Sequence, residues 1–262
     1  MPSFTSAGVE IAYDDLQPQG QRIALLIHGF ASNRFEAWRR TGWYAAFERR
    51  GARVIALDLR GHGESGKPHD PAAYADGRLA ADAIALMDHL GIGQADVVGY
   101  SMGARTALAL ACAAPGRVAN LVLGGIGGRT LDASDPGGRQ AMIQAMLADD
   151  PDTIEAPLPR GFRQFADAQG EDRRALAAVL EASGPPLDLV ALGALTMPVL
   201  VTAGSRDPLA GDPADLARRF AQGRAVSLPG LDHFSAIPHA ATKSAVFDFL
   251  DGFDEDDFPP FE

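Results

Sequence analysis

The segment Gly99-Tyr100-Ser101-Met102-Gly103 matches the pattern G-x-S-x-G. Five residues are a weak signal alone, and their context gives them weight. An apolar run over 95–100 (ADVVGY) leads into the match, and an apolar, helix-forming run over 102–114 leads out of it. Such a strand–turn–helix setting throws a serine onto a tight turn with its hydroxyl exposed. Glycines on either side allow a backbone approach too close for a Cβ, and a helix N-terminus behind the serine favours negative charge. Ser101 is therefore a candidate nucleophile.

A serine hydroxyl needs a base, and the base needs an orienting acid. Asp207 follows the run PVLVTA in Ala-Gly-Ser-Arg-Asp-Pro, and His233 follows a short apolar run in Leu-Pro-Gly-Leu-Asp-His-Phe. Both sit where a strand should end, and the chain order is serine, acid, histidine. Asp212 and Asp232 are rival acids. Asp212 reads better as the N-cap of a helix over 213–221, and Asp232 adjoins His233, an arrangement in which side chains rarely meet. Leu26-Ile27-His28-Gly29-Phe30 ends an earlier strand. There the Phe30 N–H could join the Met102 N–H as donors to an oxyanion, a role for backbone that leaves His28 structural. Asp58-Leu-Arg-Gly-His-Gly-Glu-Ser65 contains an incidental G-x-G-x-x-G at Gly61, Gly63 and Gly66. No helix can open at Lys67-Pro68, so a dinucleotide site is rejected, and Asp58, Arg60 and His62 read as a hydrogen-bonded turn.

The elements that must carry these groups follow from hydrophobic period. Apolar runs over 22–27, 53–57, 95–100, 118–123 and 198–203, with a weaker one over 225–228, suit strands covered on both faces. An alternating stretch over 9–13 and a turn at Gln19-Gly20 precede them. Helical periodicity over 34–50, 74–90 and 102–114 fills the gaps, so strand and helix alternate in βαβ units of a doubly wound sheet. The alternation fails between 125 and 194. A Gly-rich start (GGIGGRT) leads into three short helical patterns over 138–147, 160–168 and 173–182, closed by a Gly-Pro-Pro turn at 184–186. This predicts a core of residues 1–124 and 195–262, with 125–194 inserted as a helical cap. The apolar stripes of that insertion place Met146, Phe162 and Phe165 as candidate substrate contacts.

The motifs LIHGF, DLRGHGES, GYSMG, GSRD and GLDHF, in this order and spacing, resemble the α/β-hydrolase family over nearly the whole chain. The resemblance implies an α/β fold with a mostly parallel eight-stranded sheet, helices on both faces and a cap after the sixth strand. It also implies a serine hydrolase of esterase type that needs no cofactor, with Ser101, His233 and Asp207 as its triad. Ala104 stands where many members carry glycine, a small residue for a small one. The segment GYSMGAR, with Arg105, resembles the lyase of menaquinone synthesis as well. A C–C hydrolase or lyase, or a slow-turnover ligand-sensing member, therefore remains an alternative. Arg129, Arg160 and Arg163 are the basic residues that could meet an anionic substrate.

Bulk properties bound the rest. The chain has 262 residues, 47% of them apolar and 22% charged, an ordinary globular composition. Its net charge of −11 argues against nucleic acid as a partner. Six negative charges fall in the last 12 residues, read as a solvated tail. Scattered histidines and the single Cys112 leave no metal site and no internal disulfide. With no membrane-length apolar run and no secretory pattern at the start, the expectation is a cytoplasmic monomer or homodimer acting on a small-molecule ester.

Overall fold

A computed structural model describes residues 2–16, 22–132, 135–182 and 188–252. The turns expected at 19–20 and 184–186, and most of the acidic C-terminal segment, lie outside the described residues. The chain opens with a hairpin of β1 (Ser3–Ser6) and β2 (Val9–Leu16), turned at Ala7 and Gly8 with φ of 45° and 79°. There follow β3 (Ile23–Ile27), α1 (Trp43–Glu48), β4 (Arg53–Leu57), α2 (Arg78–His89), β5 (Ala95–Tyr100), α3 (Met102–Ala113) and β6 (Val118–Gly124). Next come α4 (Pro136–Leu147), α5 (Pro157–Gln169), α6 (Arg173–Glu181) and α7 (Leu189–Gly193), with no strand between them among the described residues. The chain then returns through β7 (Val199–Gly204), α8 (Pro213–Ala217), β8 (Gly223–Leu228) and α9 (Ala240–Leu250).

The eight strands form one sheet in the order β1-β2-β4-β3-β5-β6-β7-β8. Only β2 pairs antiparallel to its neighbours; from β4 to β8 every pairing is parallel. This is the α/β-hydrolase fold. Period-two geometry splits each central strand between the faces. Leu25 and Ile27 pack with Leu86 of α2, Leu108 of α3 and Leu216 of α8. Ala24 and Leu26 pack on the other face with Trp43 and Phe47 of α1 and Phe247 of α9. Both faces are covered, which is why the strands read as unbroken apolar runs.

Two expected helices are shorter than their periodicity implied. The pattern over 34–50 divides into a five-residue π-helical turn, Phe35–Arg39, and α1, because Gly42 takes φ of 82° between them. Trp38 and Trp43 still meet edge to face, with ring centroids 5.7 Å apart. Likewise 74–90 yields a 3₁₀ turn, Pro71–Tyr74, capped by Asp70, and then α2 after Asp76 and Gly77, both at positive φ. The insertion packs on the core through two apolar clusters, the smaller joining Ala178 and Val179 of α6 to Tyr74. In the larger, Ile143, Met146, Phe162, Ala166 and Leu176 gather around the core's Ala31, with Phe30 and Leu209 at its margin.

Candidate active site

Parallel strands bring their C-terminal ends to one edge of a sheet, where α/β proteins place ligands. Ser101 follows β5, Gly29 and Phe30 follow β3, Asp207 follows β7 and His233 follows β8. Ser101 sits at φ of 56° and ψ of −115°, a strained backbone for a residue with a Cβ. Its N–H donates to the Gly124 carbonyl at 2.7 Å, which ties the turn to β6. The flanking glycines are required by space. A Cβ on Gly99 would collide with the Gly103 carbonyl, and one on Gly103 with the carbonyls of Ile27 and His28.

The histidine lies between serine and acid. Asp207 Oδ2 is 2.7 Å from His233 Nδ1, and His233 Nε2 is 2.9 Å from Ser101 Oγ. A carboxylate only accepts, so Nδ1 carries the proton and Nε2 offers its lone pair to the serine hydroxyl. Asp207 is held in turn by Leu209 N–H at 2.9 Å and Ala210 N–H at 3.2 Å, both donating to Oδ1. Asp207 and His233 are each 6% exposed, whereas Ser101 is half-buried and reachable. A relay so arranged can move the serine proton onto the imidazole and stabilise the resulting cation.

The rival carboxylates are used locally. Asp212 caps α8 by accepting from Ala214 N–H at 2.9 Å. Asp232 accepts from the N–H groups of Phe234 and Ser235, bonds that, with the Ser235 hydroxyl, hold its carboxyl below the usual range.

The two backbone donors expected for an oxyanion border Ser101. Met102 opens α3, so its N–H has no acceptor within the helix. Gly29 presses against the serine turn: a Cβ there would stand 3.2 Å from the Tyr100 carbonyl oxygen and 3.4 Å from Ser101 Cβ. The Phe30 N–H comes one residue later. His28, buried beneath, has the structural part. Its Nδ1–H donates to the Gly29 carbonyl at 2.8 Å, and its Nε2 accepts from Leu59 N–H at 3.0 Å. Burial lowers its pKa to about 4, so the ring is neutral at pH 7. The Asp58–Ser65 segment is also structural. Asp58 accepts from the N–H groups of Arg34 and Glu64 and pairs with the Arg34 guanidinium, while Arg60 forms a bidentate pair with Asp82.

The expected substrate contacts separate. Phe162 lies over the histidine, with ring centroids 6.5 Å apart, and touches Phe30 at 5.9 Å. Phe165 reaches the rim through Phe234, at 5.7 Å. Met146 is fully buried among the helices of the insertion. Phe234, which the sequence reasoning passed over, is 45% exposed and packs on His233 and Phe162 as well. An aromatic residue directly after the histidine was its only signal.

The basic residues of the insertion are engaged. Arg163, 2% exposed, donates to the carbonyls of Ala145 and Ala148 and pairs with Asp167. Arg160 donates to the Ile154 carbonyl and Arg129 to that of Pro208. Arg105, one turn into α3, is exposed and lies near Arg139 of α4; partial desolvation first and then that second cation lower its pKa. Among the described residues no group of three His, Cys, Asp or Glu could hold a metal ion, and no helix is long and apolar enough to cross a membrane.

Known proteins show the same plan. The family model for the alpha/beta hydrolase fold matches residues 25–176. A putative carbamate hydrolase of Variovorax paradoxus is 32% identical over 220 residues, which cover 75% of this chain and 79% of that protein. The dihydrolipoyllysine-residue acetyltransferase component of an acetoin cleaving system from Pseudomonas putida is 32% identical over 235 residues, 84% of this chain; the chain spans only 60% of that relative's length. Among solved structures, the enol-lactonase of Burkholderia xenovorans LB400 superposes with a TM-score of 0.79 at 25% identity, covering 95% of this chain and all of that one. On sheet order, family match and these relatives together, the chain belongs to the alpha/beta hydrolase family of enzymes.

Proposed function

We propose that the chain is a serine hydrolase that cleaves neutral, short-to-medium carboxylic esters or lactones through an acyl-Ser101 intermediate. One observation carries the reading: a strained, half-buried serine with the Nε2 of a histidine 2.9 Å from its hydroxyl and a buried carboxylate 2.7 Å behind that histidine. In this mechanism His233 Nε2 takes the Ser101 proton as Oγ bonds to the carbonyl carbon. The oxygen that gains the electron pair is held by the N–H groups of Phe30 and Met102. Collapse breaks the ester bond, and His233 gives its proton to the departing alcohol. A water then adds to the acyl carbon, losing a proton to His233, and the second collapse returns that proton to Ser101 as the acid leaves. None of these steps needs a cofactor.

Helices α4 to α6 act as a cap over this edge, whereas Leu192 of α7 packs in the core cluster with Leu195, Leu216 and Phe220. The aromatic rings of Phe162, Phe165 and Phe234 around His233 favour an apolar acyl or alkyl group over a charged one. The enol-lactonase likeness supports a lactone or ester carbonyl as the reacting group. Labelling with a fluorophosphonate, followed by a p-nitrophenyl ester chain-length series, tests the reading. Absence of Ser101 labelling would reject it.

A second reading rests on Arg105 and Arg139, two cations brought close at the junction of core and insertion. A carboxylate-bearing substrate cleaved at a C–C bond, or eliminated by the same triad, would suit them. The engagement of Arg129, Arg160 and Arg163 with protein acceptors weighs against a wider anionic pocket. Arg105→Ala decides between them. It leaves neutral ester turnover unchanged in the first reading and abolishes activity on vinylogous diketone acids in the second.

A further inference from the structure

The oxyanion donor Phe30 belongs to a turn that the core alone does not secure. Ala31 takes φ of 58°, a left-handed backbone that costs a residue with a Cβ about 1 kcal/mol or more. Within the turn, the backbone bond is a single long one, Ser32 N–H to the Gly29 carbonyl at 3.3 Å. The core adds the His28 Nδ1–H on the Gly29 carbonyl, at 2.8 Å, and the His62 ring edge to face with Phe30, at 5.9 Å; the insertion adds more. Ala31 is fully buried beneath Ile143, Met146, Phe162 and Ala166, and the Phe30 ring rests on Phe162.

Among the described residues, the insertion's polar contact with this turn comes from Glu171. Glu171, at the corner between α5 and α6, is 7% exposed and uses both carboxylate oxygens on the core. Asn33 Nδ2 donates to Oε1 at 3.0 Å, and Gly63 N–H donates to Oε2 at 2.8 Å. Asn33 in turn accepts from Glu36 N–H through Oδ1, so its amide is held at both ends. Burial pushes the Glu171 carboxyl up, with Asn33 and Gly63 opposing the shift and Asp58 nearby adding to it. A carboxylate buried close to another carboxylate is a poor device for stability alone. Its two acceptors instead define where the Asn33 end of the turn must lie.

We infer that Glu171 is a positioning residue for the oxyanion hole: reaching in from the insertion, it holds the Gly29–Asn33 turn so that the Phe30 N–H faces the carbonyl attacked by Ser101. The inference rests on the serine-hydrolase reading above. Docking of the insertion and completion of the oxyanion hole are then one event, and the insertion serves the chemistry as well as the choice of substrate.

The test is a reciprocal exchange. Glu171→Gln keeps an acceptor for Gly63 and turns an amide N–H₂ against the Asn33 amide. Adding Asn33→Asp restores the pair with donor and acceptor reversed. Steady-state kinetics on p-nitrophenyl acetate and hexanoate, the rate of Ser101 phosphonylation and the melting temperature are measured for each variant. For Glu171→Gln we expect kcat to fall about tenfold on both esters, less than the 10²- to 10³-fold of a lost donor. KM should stay within about twofold, phosphonylation should slow in step with kcat, and the double variant should recover most of both rates. If Glu171→Gln does not fold, Asn33→Ser, which removes only the Asn33 half, is read by the same criteria. A lowered melting temperature with unchanged kcat would reduce Glu171 to scaffolding and overturn the inference. So would a KM effect confined to the longer ester, or failure of the exchange to restore turnover. Wild-type protein that does not label at Ser101 overturns the hydrolase reading itself; labelled protein that fails only the exchange overturns the role of Glu171 alone.

Discussion

Tyr100 Oη donates to the His233 carbonyl oxygen at 2.6 Å, so the residue before Ser101 holds the backbone of His233. The Tyr100 ring is 7% exposed and lies 5.4 Å from the imidazole. It also fills the space that Gly124 and Gly125 leave, where any Cβ would meet the ring. Part of the Gly-rich segment after β6 is thus explained by the seat of Tyr100. Removing the hydroxyl leaves a buried carbonyl unpaired, at about 1–3 kcal/mol. Tyr100→Phe should therefore lower the melting temperature and cut kcat several-fold, with KM little changed. A variant of native kcat would show that the His233 loop needs no such tether.

Ser101→Ala should fold as the native protein does, since among the described residues the half-buried hydroxyl bonds only to His233. Ester turnover should fall by about 10⁴- to 10⁶-fold, because the attacking atom is gone. Fluorophosphonate labelling that persists in this variant would place the nucleophile elsewhere.

Asp207→Asn should lower kcat about 10⁴-fold by presenting an amide where His233 Nδ1–H needs an acceptor. Asp212→Asn and Asp232→Asn should be mild, since these carboxylates accept from local backbone N–H groups and an asparagine oxygen can replace them. Comparing kcat for the three variants checks the ranking, and a reversal would reassign the acid.

The sequence showed most clearly what local rules govern. β4 and β5 have the expected ends, and β3, β6 and β7 differ by a residue or two, because a buried parallel strand is an apolar run bounded by turns. The strand–turn–helix at Ser101 was legible because Gly99 and Gly103 have no alternative there. β1 was missed: four residues with little burial carry almost no pattern. Helix interruptions at Gly42 and Asp76-Gly77 were missed because tertiary packing of Trp38, Trp43 and Tyr74 overrides the helical period. Glu171 left no trace at all. Its partner Asn33 is 138 residues away, and nothing in either neighbourhood announces the pair.

Acid should weaken the fold through two buried histidines. Burial lowers His28 to about 4 and His62 to about 3, the second also opposed by the neighbouring His28. His62 Nδ1–H donates to the Arg60 carbonyl, and among the described residues its Nε2 has no partner, so protonation would bury an unpaired N–H. Between these values and the unfolded value near 6.5, the unfolded chain binds more protons than the native one. Stability is thus complete above about pH 6.5 and declines as pH falls toward 4, by about 2 kcal/mol per histidine at pH 5. Melting temperatures measured from pH 7 to 4.5 should fall, and His62→Gln should flatten the slope. An unchanged slope would place the acid sensitivity in other groups.

Met146 and Phe165, both expected from the sequence to touch substrate, should respond differently to truncation. Met146 is fully buried between α4 and its neighbours, against Ala31, so Met146→Ala opens a cavity. Such a loss costs about 2–5 kcal/mol and should appear as a lower melting temperature, with the chain-length profile shifted only slightly. Phe165 and Phe234 form the outer half of the aromatic group over His233, and Phe234 is half in solvent. Phe165→Ala and Phe234→Ala should leave the melting temperature nearly unchanged and widen the rim. Esters longer than the native preference should then gain in kcat/KM, while p-nitrophenyl acetate, too short to reach the rings, keeps its rate. Phe234 also touches the imidazole, so a second outcome is distinguishable. If Phe234→Ala lowers kcat equally on every ester and slows Ser101 phosphonylation, its ring supports His233 rather than selecting substrate. A chain-length shift in Met146→Ala as large as that in Phe165→Ala would show that the pocket extends behind the visible aromatic wall into the interior of the insertion.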